Sequence, residues 1–406
     1  MLNVKGESMV NLGLEKKQHI SNSLLFLLAF AISGVISNAL ISIVMGLCCL
    51  YILLEFFNHR SFSLQFVPKI GFYSYGIFIG TVLLASLLTF EKDNMVAAWK
   101  YFYWSLPFWI IILIRPNIKS QQYFLNGLVF SVLITGIYSI YQYFCSPIGT
   151  RIGGFDFPNF YAVFLILILP FLVFYAIKCF GYTERKRIGF ISLLAVLIGT
   201  FALWITGSRG AVISFFIAAV FLVFFLRKCF QSSNLTLGVF AVTILLGVFM
   251  TSIGFVGNIT RSYDMERWYL WQSSYKMWDD HKLIGVGLKN WETQYQQKYI
   301  LPQAKEKHLV IPHNTIAWFF SATGLIGGVG YLVFILGIFI TLLKALKKNP
   351  NNWLVYAMLW SFMAFTMHGM VDVGITMKTS ARLFFMLLGF SLNSLRVVKK
   401  DNYDIV

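Results

Sequence analysis

The chain is built from predominantly apolar runs about 20 residues long, recurring from Ser21 to Leu395. A run of that length crosses the hydrocarbon core of a bilayer as a helix. Within that core every backbone N–H and C=O needs a partner inside the protein, so only helices and closed barrels are stable there. Barrel strands alternate apolar and polar at every second residue. These runs do not alternate, and the fold they predict is all-α. The polar complement agrees: of 406 residues, 58% are hydrophobic and 12% charged, about half the charged share of a soluble domain. A water-soluble enzyme and a disordered chain are both excluded.

Run lengths predict a polytopic integral membrane protein of about twelve transmembrane helices. Spans 1 and 2 share residues 21–57, broken near Ser37-Asn38. The next seven are expected at 70–90, 95–114, 121–144, 160–178, 188–205, 210–226 and 235–255. A polar stretch, 256–314, precedes the last three, at 315–343, 353–371 and 379–395. Residues 1–406 read as a single transmembrane domain with both termini on one side.

The formal net charge is +17. In a soluble protein that excess would suggest nucleic acid; here the positive-inside rule accounts for it, and no nucleic-acid partner is expected. Counted over alternate loops, one side carries 19 basic residues and the short loops of the other only Lys92, Arg151, Arg209 and Lys378. The rich side is therefore cytoplasmic, with both termini. The surplus also suits membrane lipids with anionic headgroups or a phosphorylated lipid ligand. The five cysteines form neither a CxxC nor a Cys/His pattern, so neither a disulfide framework nor a metal site is expected.

The 256–314 stretch is too long for a passive connector. Its eight basic and six acidic residues place it outside without violating the charge rule, because long loops translocate largely regardless of charge. Arg267-Trp268-Tyr269-Leu270-Trp271 through Trp278 has aromatics at helical spacing. Gly285-Val286-Gly287 breaks that helix, and Trp291 starts another helical segment. An aromatic-rich amphipathic helix at this position is expected to lie in the membrane interface.

Four external clusters hold the candidate chemistry. Thr206-Gly207-Ser208-Arg209-Gly210 is a tight turn that sets an arginine between glycines. The glycines would let a ligand approach the backbone, and the guanidinium fork suits phosphate oxygens. An arginine snorkelling at a helix end is the alternative, less suited to the side where basic residues are scarce. Arg267 and Trp271 share a helix face and could hold a sugar diphosphate by charge and stacking; an exposed arginine on an interfacial helix accounts for them equally. Asn314 is a candidate N-cap for the following span. His313 beside it could serve as a general base, or be an ordinary interfacial histidine. His368 and Asp372 close span 11, with Arg382 in span 12. Ionisable groups at membrane depth are functional candidates, but an Asp372–Arg382 pair tying two helices together is the favoured reading. Gly149 to Gly154 is glycine-rich but lacks the Lys-Ser/Thr of a phosphate loop. Neither an Asp-x-Asp motif nor a Gly-x-Ser-x-Gly elbow occurs.

Taken in order, Gly207-Ser208-Arg209-Gly210-Ala211, Arg267-Trp268-Tyr269-Leu270-Trp271, Asp280-His281-Lys282-Leu283-Ile284-Gly285-Val286-Gly287, Pro312-His313-Asn314-Thr315 and Ala322-Thr323-Gly324-Leu325-Ile326-Gly327 resemble the O-antigen ligase and polymerase superfamily of bacterial envelope glycosyltransferases. By motif the resemblance covers about 195–390. It implies a GT-C-like helical fold with a helical periplasmic loop between spans 9 and 10. It also implies an inverting, metal-independent transfer without a cofactor, on the periplasmic face of the inner membrane. The donor would be an undecaprenyl-diphosphate-linked glycan and, in the ligase branch, the acceptor lipid A–core oligosaccharide. The family's two arginines fall on Arg209 and Arg267 as diphosphate ligands and its histidine on His313 as the base. Ser208, Trp271, Asn314, His368, Asp372 and Arg382 are candidate supporting residues.

Three rival readings remain. Polymerases of the superfamily often carry an Arg-x10-Gly pattern, and the residues eleven after Arg209, Arg261 and Arg267 are Val220, Gln272 and Trp278. Transfer to a protein acceptor differs only in the acceptor. A transporter would show inverted repeats and midplane ionisable groups, and neither is found. The loop-charge bias makes one direct prediction: a fluorescent reporter fused to the C-terminus will fold in the cytoplasm, and alkaline phosphatase inserted within 256–314 will be active. An external C-terminus would overturn the topology.

Overall fold

The computed structural model describes residues 2–34, 37–59, 67–226, 262–372 and 374–400. These fold into helices, with no strand among the described residues: α1 Leu2–Gly34, α2 Asn38–His59, α3 Lys69–Leu87, α4 Lys92–Trp104, α5 Leu106–Ile114, α6 Ile118–Cys145 and α7 Pro158–Phe180. They continue with α8 Lys186–Ile205, α9 Arg209–Leu226, α10 Ser262–Asp280, α11 Trp291–Gln294, α12 Thr315–Lys348, α13 Trp353–His368 and α14 Lys378–Lys400.

Seven helical stretches among the described residues are long and apolar enough to cross a membrane: Asn38–Phe57, Lys69–Leu87, Lys92–Ile114, Ile118–Cys145, Pro158–Phe180, Thr183–Ile205 and Thr315–Lys348. Gln18–Gly34 and Arg209–Leu222 are apolar but shorter. The expected span at 235–255 lies outside the described residues. The expected spans at 353–371 and 379–395 appear as α13 and α14, which are not among the seven. The expected span at 95–114 is two helices. Pro107, in the first turn of α5, has no N–H to continue the ladder, and the chain breaks at Ser105, whose hydroxyl bonds the Phe102 carbonyl and the Tyr75 hydroxyl. Helix α1 begins at Leu2, far ahead of its apolar run.

The centre of the bundle is α7: 89% of its apolar stretch is buried against other helices, compared with 28% for α2. It packs on α8 and α13, while α13 also lies along α9. Polar groups fasten these contacts. The Ser361 hydroxyl donates to the Leu167 carbonyl at 2.7 Å, and the Trp360 indole to the Phe215 carbonyl at 2.9 Å. Helices α3 and α12 pack closely because Gly330 and Gly337 leave room for Thr81 and Ser74. Small residues at such a seam let two helices gain dispersion contacts that lipid would otherwise supply.

Backbone hydrogen bonds help join the polar loop to the bundle. Gly324 has φ 62° and ψ −159°, which breaks α12 after its first nine residues. Residues 282–287 lie in that break: Leu325 N–H bonds the Lys282 carbonyl at 2.7 Å, Val286 N–H the Ser321 carbonyl at 2.9 Å and Gly287 N–H the Ala322 carbonyl at 2.9 Å. A Cβ on Gly285 would meet the Ala322–Thr323 backbone, and one on Gly324 the Leu283 backbone. The expected break at Gly285-Val286-Gly287 is thus present, and it serves to insert the chain between two halves of a helix. The predicted aromatic helix is α10. It packs on α12 with Leu270, Ser273, Ser274 and Met277 buried, while Trp268 and Tyr275 stay exposed.

Gly285→Ala and Gly324→Ala should each cost about 3 kcal/mol or more, because a positive φ and a backbone clash act together. Gly76→Ala, where nothing stands within 4 Å of the new methyl, should be neutral. Thermal midpoints in detergent test the contrast; equal midpoints for all three would dismiss the interlock.

Candidate functional site

Four polar side chains meet where α7 begins, α10 passes, α12 begins and α13 ends. At their centre lies Asp372, 2% exposed. Its Oδ2 accepts from the Arg267 guanidinium at 2.8 Å and from the Asn159 amide at 2.6 Å. Its Oδ1 lies 3.0 Å from His313 Nδ1. Burial alone would push the Asp372 carboxyl up; the hydrogen bond from His313 and the basic groups His368 and Arg267 outweigh it and hold the carboxyl well below the usual range. An ionised carboxylate can only accept, so Nδ1 carries the proton and Nε2 keeps its lone pair when the imidazole is neutral.

Local chemistry sets each position. Asn314 caps α12, its side chain accepting from Ala317 N–H at 3.0 Å, as its place in the sequence predicts. The cap reverses the chain, and His313 just before it adopts φ 50°. Trp271, one turn beyond Arg267, donates its indole N–H to the Pro312 carbonyl at 3.1 Å. Thr315 N–H bonds the Gly369 carbonyl at 2.7 Å, which joins the start of α12 to the end of α13. Arg267, Trp271, His313 and Asp372 therefore form one unit.

Above this unit opens a cleft of about 480 Å³. Arg151, Arg209, Arg267 and His313 line it, with Ser208 and the start of α9 forming a wall. Glu266 and Glu306 line it too. Glu266 accepts from the backbone N–H groups of Lys305 at 2.9 Å and Glu306 at 3.2 Å, so α10 also fixes the 301–309 segment that borders the cleft.

Several expectations change. Asp372 pairs with Arg267 and His313, not with Arg382. The Arg382 side chain is fully buried 5.0 Å from the centre of the Tyr103 ring, a cation–π contact. Its placement one turn into α14, against α4, takes it away from the end of α13. His368 is buried beneath Gly210 and does not line the cleft. Trp271 does not line it either; the expected stacking residue is instead a strut for the His313 segment. The glycines of the 206–210 turn serve the protein more directly than a ligand. Gly207 has φ 61°, and the Arg151 stem lies where its side chain would be; Val371 occupies that place at Gly210.

Two residues were missed. Arg151 lies in the glycine-rich loop set aside for want of a phosphate-loop lysine, and Asn159 is the second residue of α7. Arg151 carried one legible signal: it is one of the four basic residues in the short loops on the side poor in Lys and Arg. Asn159 carried none.

Comparison with protein families matches residues 193–332 to the family described as O-antigen ligase. A comparison with curated proteins gives no match. The matched stretch holds Arg209, Arg267 and His313, while Arg151, Asn159 and Asp372 lie outside it. With its set of membrane-length apolar helices, the chain is a multi-pass membrane protein, and its residues 193–332 match the O-antigen ligase family.

Proposed function

We propose that the cleft is the active site of an O-antigen ligase, which moves a glycan from an undecaprenyl-diphosphate donor to lipid A–core oligosaccharide on the periplasmic face of the inner membrane. One observation carries this reading: a histidine held by a buried carboxylate shares a cleft with several arginines at the N-terminus of an 18-residue helix. The helix start adds its own partial positive charge to those of the arginines, and suits phosphate.

The acceptor hydroxyl would give its proton to His313 Nε2 as its oxygen bonds the anomeric carbon. The bond from that carbon to the phosphate oxygen breaks, and its electron pair leaves with the lipid diphosphate. Arg209 and Arg267 meet the charge that grows there. Asp372 keeps the imidazole in the tautomer that can accept a proton and steadies the imidazolium that forms. Attack from the face opposite the leaving group inverts the anomeric centre. The missing Arg-x10-Gly spacing favours ligation over polymerisation. Lipopolysaccharide from a deletion strain separates the two: loss of all glycan on lipid A–core supports a ligase, and retention of a single repeat unit indicates a polymerase.

Arg209→Ala and Arg267→Ala should each lose about 2 to 4 kcal/mol of transition-state stabilisation; Arg209→Ala should leave expression intact, whereas Arg267→Ala should also lower the thermal midpoint because it bares buried Asp372. Lysine at either position should recover only part, because the planar fork is lost. Near-normal transfer by an alanine variant would remove that residue from the site.

His313→Ala and His313→Gln should both fail at turnover while donor binding survives. Asp372→Asn should lower kcat by about 10²-fold or more, since the amide no longer selects one tautomer. Asp372 itself should not limit the rate on mild acidification, because its lowered carboxyl stays ionised through the usual carboxylate range. Purified protein with both lipid substrates, assayed across pH and with EDTA, tests this set. An active Gln variant would demote His313 to positioning, and EDTA-sensitive turnover would overturn the metal-free mechanism.

A further inference from the structure

Arg151 reaches the cleft from the loop between α6 and α7, and its surroundings hold it in one place. Its stem crosses Gly207, where an added methyl would sit a tight 3.2 Å from it. Its Nε donates to the Thr206 carbonyl at 2.9 Å, which ties it to the turn that presents Arg209. Its Nη2 donates to the Asn159 side-chain oxygen. The other end of that amide donates to Asp372 at 2.6 Å. A cation on one side and an anion on the other fix the amide's orientation, since reversal would set donor against donor and acceptor against acceptor.

Charge makes the case for its use. Arg267 is paired with Asp372, and Glu266 and Glu306 also line the cleft, so much of the positive charge that Arg209 and Arg267 bring to it is offset. A sugar–diphosphate–lipid carries two negative charges, and its leaving group gains a third as the glycosidic bond breaks. In a partly dry site an imbalance of that kind is expensive. Arg151 supplies the next positive charge from the same wall.

We propose that Arg151 is a third guanidinium of the donor site, bonding the diphosphate oxygens beside Arg209. Asn159 is its positioning residue and couples it to the carboxylate that orients His313 and Arg267. The inference rests on the glycosyl-transfer reading of the cleft. It makes the external loop after α6 part of donor recognition, and it gives the first turn of α7 a role in the pH behaviour of the base.

The test uses the full-length protein in detergent with lipid-linked donor and lipid A–core acceptor. Arg151→Ala should raise the donor KM about tenfold or more, the worth of one charge-assisted contact, and leave the acceptor KM unchanged. Arg151→Lys should fall between the two. Undecaprenyl diphosphate alone should raise the thermal midpoint of the wild type and fail to do so for Arg151→Ala. Asn159→Asp sets a second carboxylate against Asp372, which favours the imidazolium, so the acid limb of the rate profile should move to higher pH. A merely structural asparagine would lower activity without moving that limb. A normal donor KM and normal stabilisation by undecaprenyl diphosphate in Arg151→Ala would overturn the proposal. If the alanine variant does not fold, the lysine variant decides: a raised donor KM at constant acceptor KM supports the proposal, and an unchanged one sinks it. Arg209→Ala and His313→Ala run in parallel. If they abolish transfer while Arg151→Ala does not, only this inference fails; if they too are active, the glycosyl-transfer reading fails with it.

Discussion

A carboxylate withdrawn almost entirely from water organises this end of the molecule. Such a group is costly to bury unless its lone pairs are met by donors. Asp372 meets that condition with Arg267 from α10, Asn159 from α7 and His313 from the approach to α12. Each donor comes from a different part of the chain, so the ion holds three elements at fixed separation. Truncating any one of them leaves an under-compensated buried charge, a loss on the order of 3 to 5 kcal/mol when a buried pair is broken. The interaction that orients the cleft residues therefore also stabilises the fold around them.

That arrangement depends on a second constraint, the backbone crossing at Gly285 and Gly324. Helix α10 belongs to a polar loop and is not among the helices long and apolar enough to cross a membrane. Its register against α12 comes from hydrogen bonds between residues 282–287 and 321–326, which a methyl group on either glycine would disrupt. Arg267 is aimed at Asp372 because the chain beyond α10 is anchored in this break. The Trp271–Pro312 bond and the Glu266 contacts then carry the same register to His313 and to the edge of the cleft.

The charge balance of the cleft follows from both. One carboxylate is enclosed by basic groups, and Arg151, Arg209 and Arg267 line the cleft beside it, a set of donors suited to phosphate oxygens. A lipid diphosphate offers such oxygens, and the histidine next to it has the partner a proton acceptor needs. The Glu266 carboxylate is held by two backbone N–H groups, those of Lys305 and Glu306.

Much of this was legible in the sequence. Apolar runs of bilayer length forced helices, because no other open structure satisfies its backbone in lipid. Glycine, asparagine and aromatic spacing marked the break after α10, the cap of α12 and α10 itself. Arg209, Arg267 and His313 stood out as polar groups that a bilayer does not explain. The sequence could not say which faces are buried. Lipid and protein interior are equally apolar, so the central α7 and the peripheral α2 read alike. Nor could it pair Asp372. The choice between Arg382, ten residues on, and Asn159, 213 residues back, was made by the packing of α7 against α13. Arg151 escaped for the same reason: its partners Thr206 and Asn159 come from two other elements, and only the tertiary structure brings them to it.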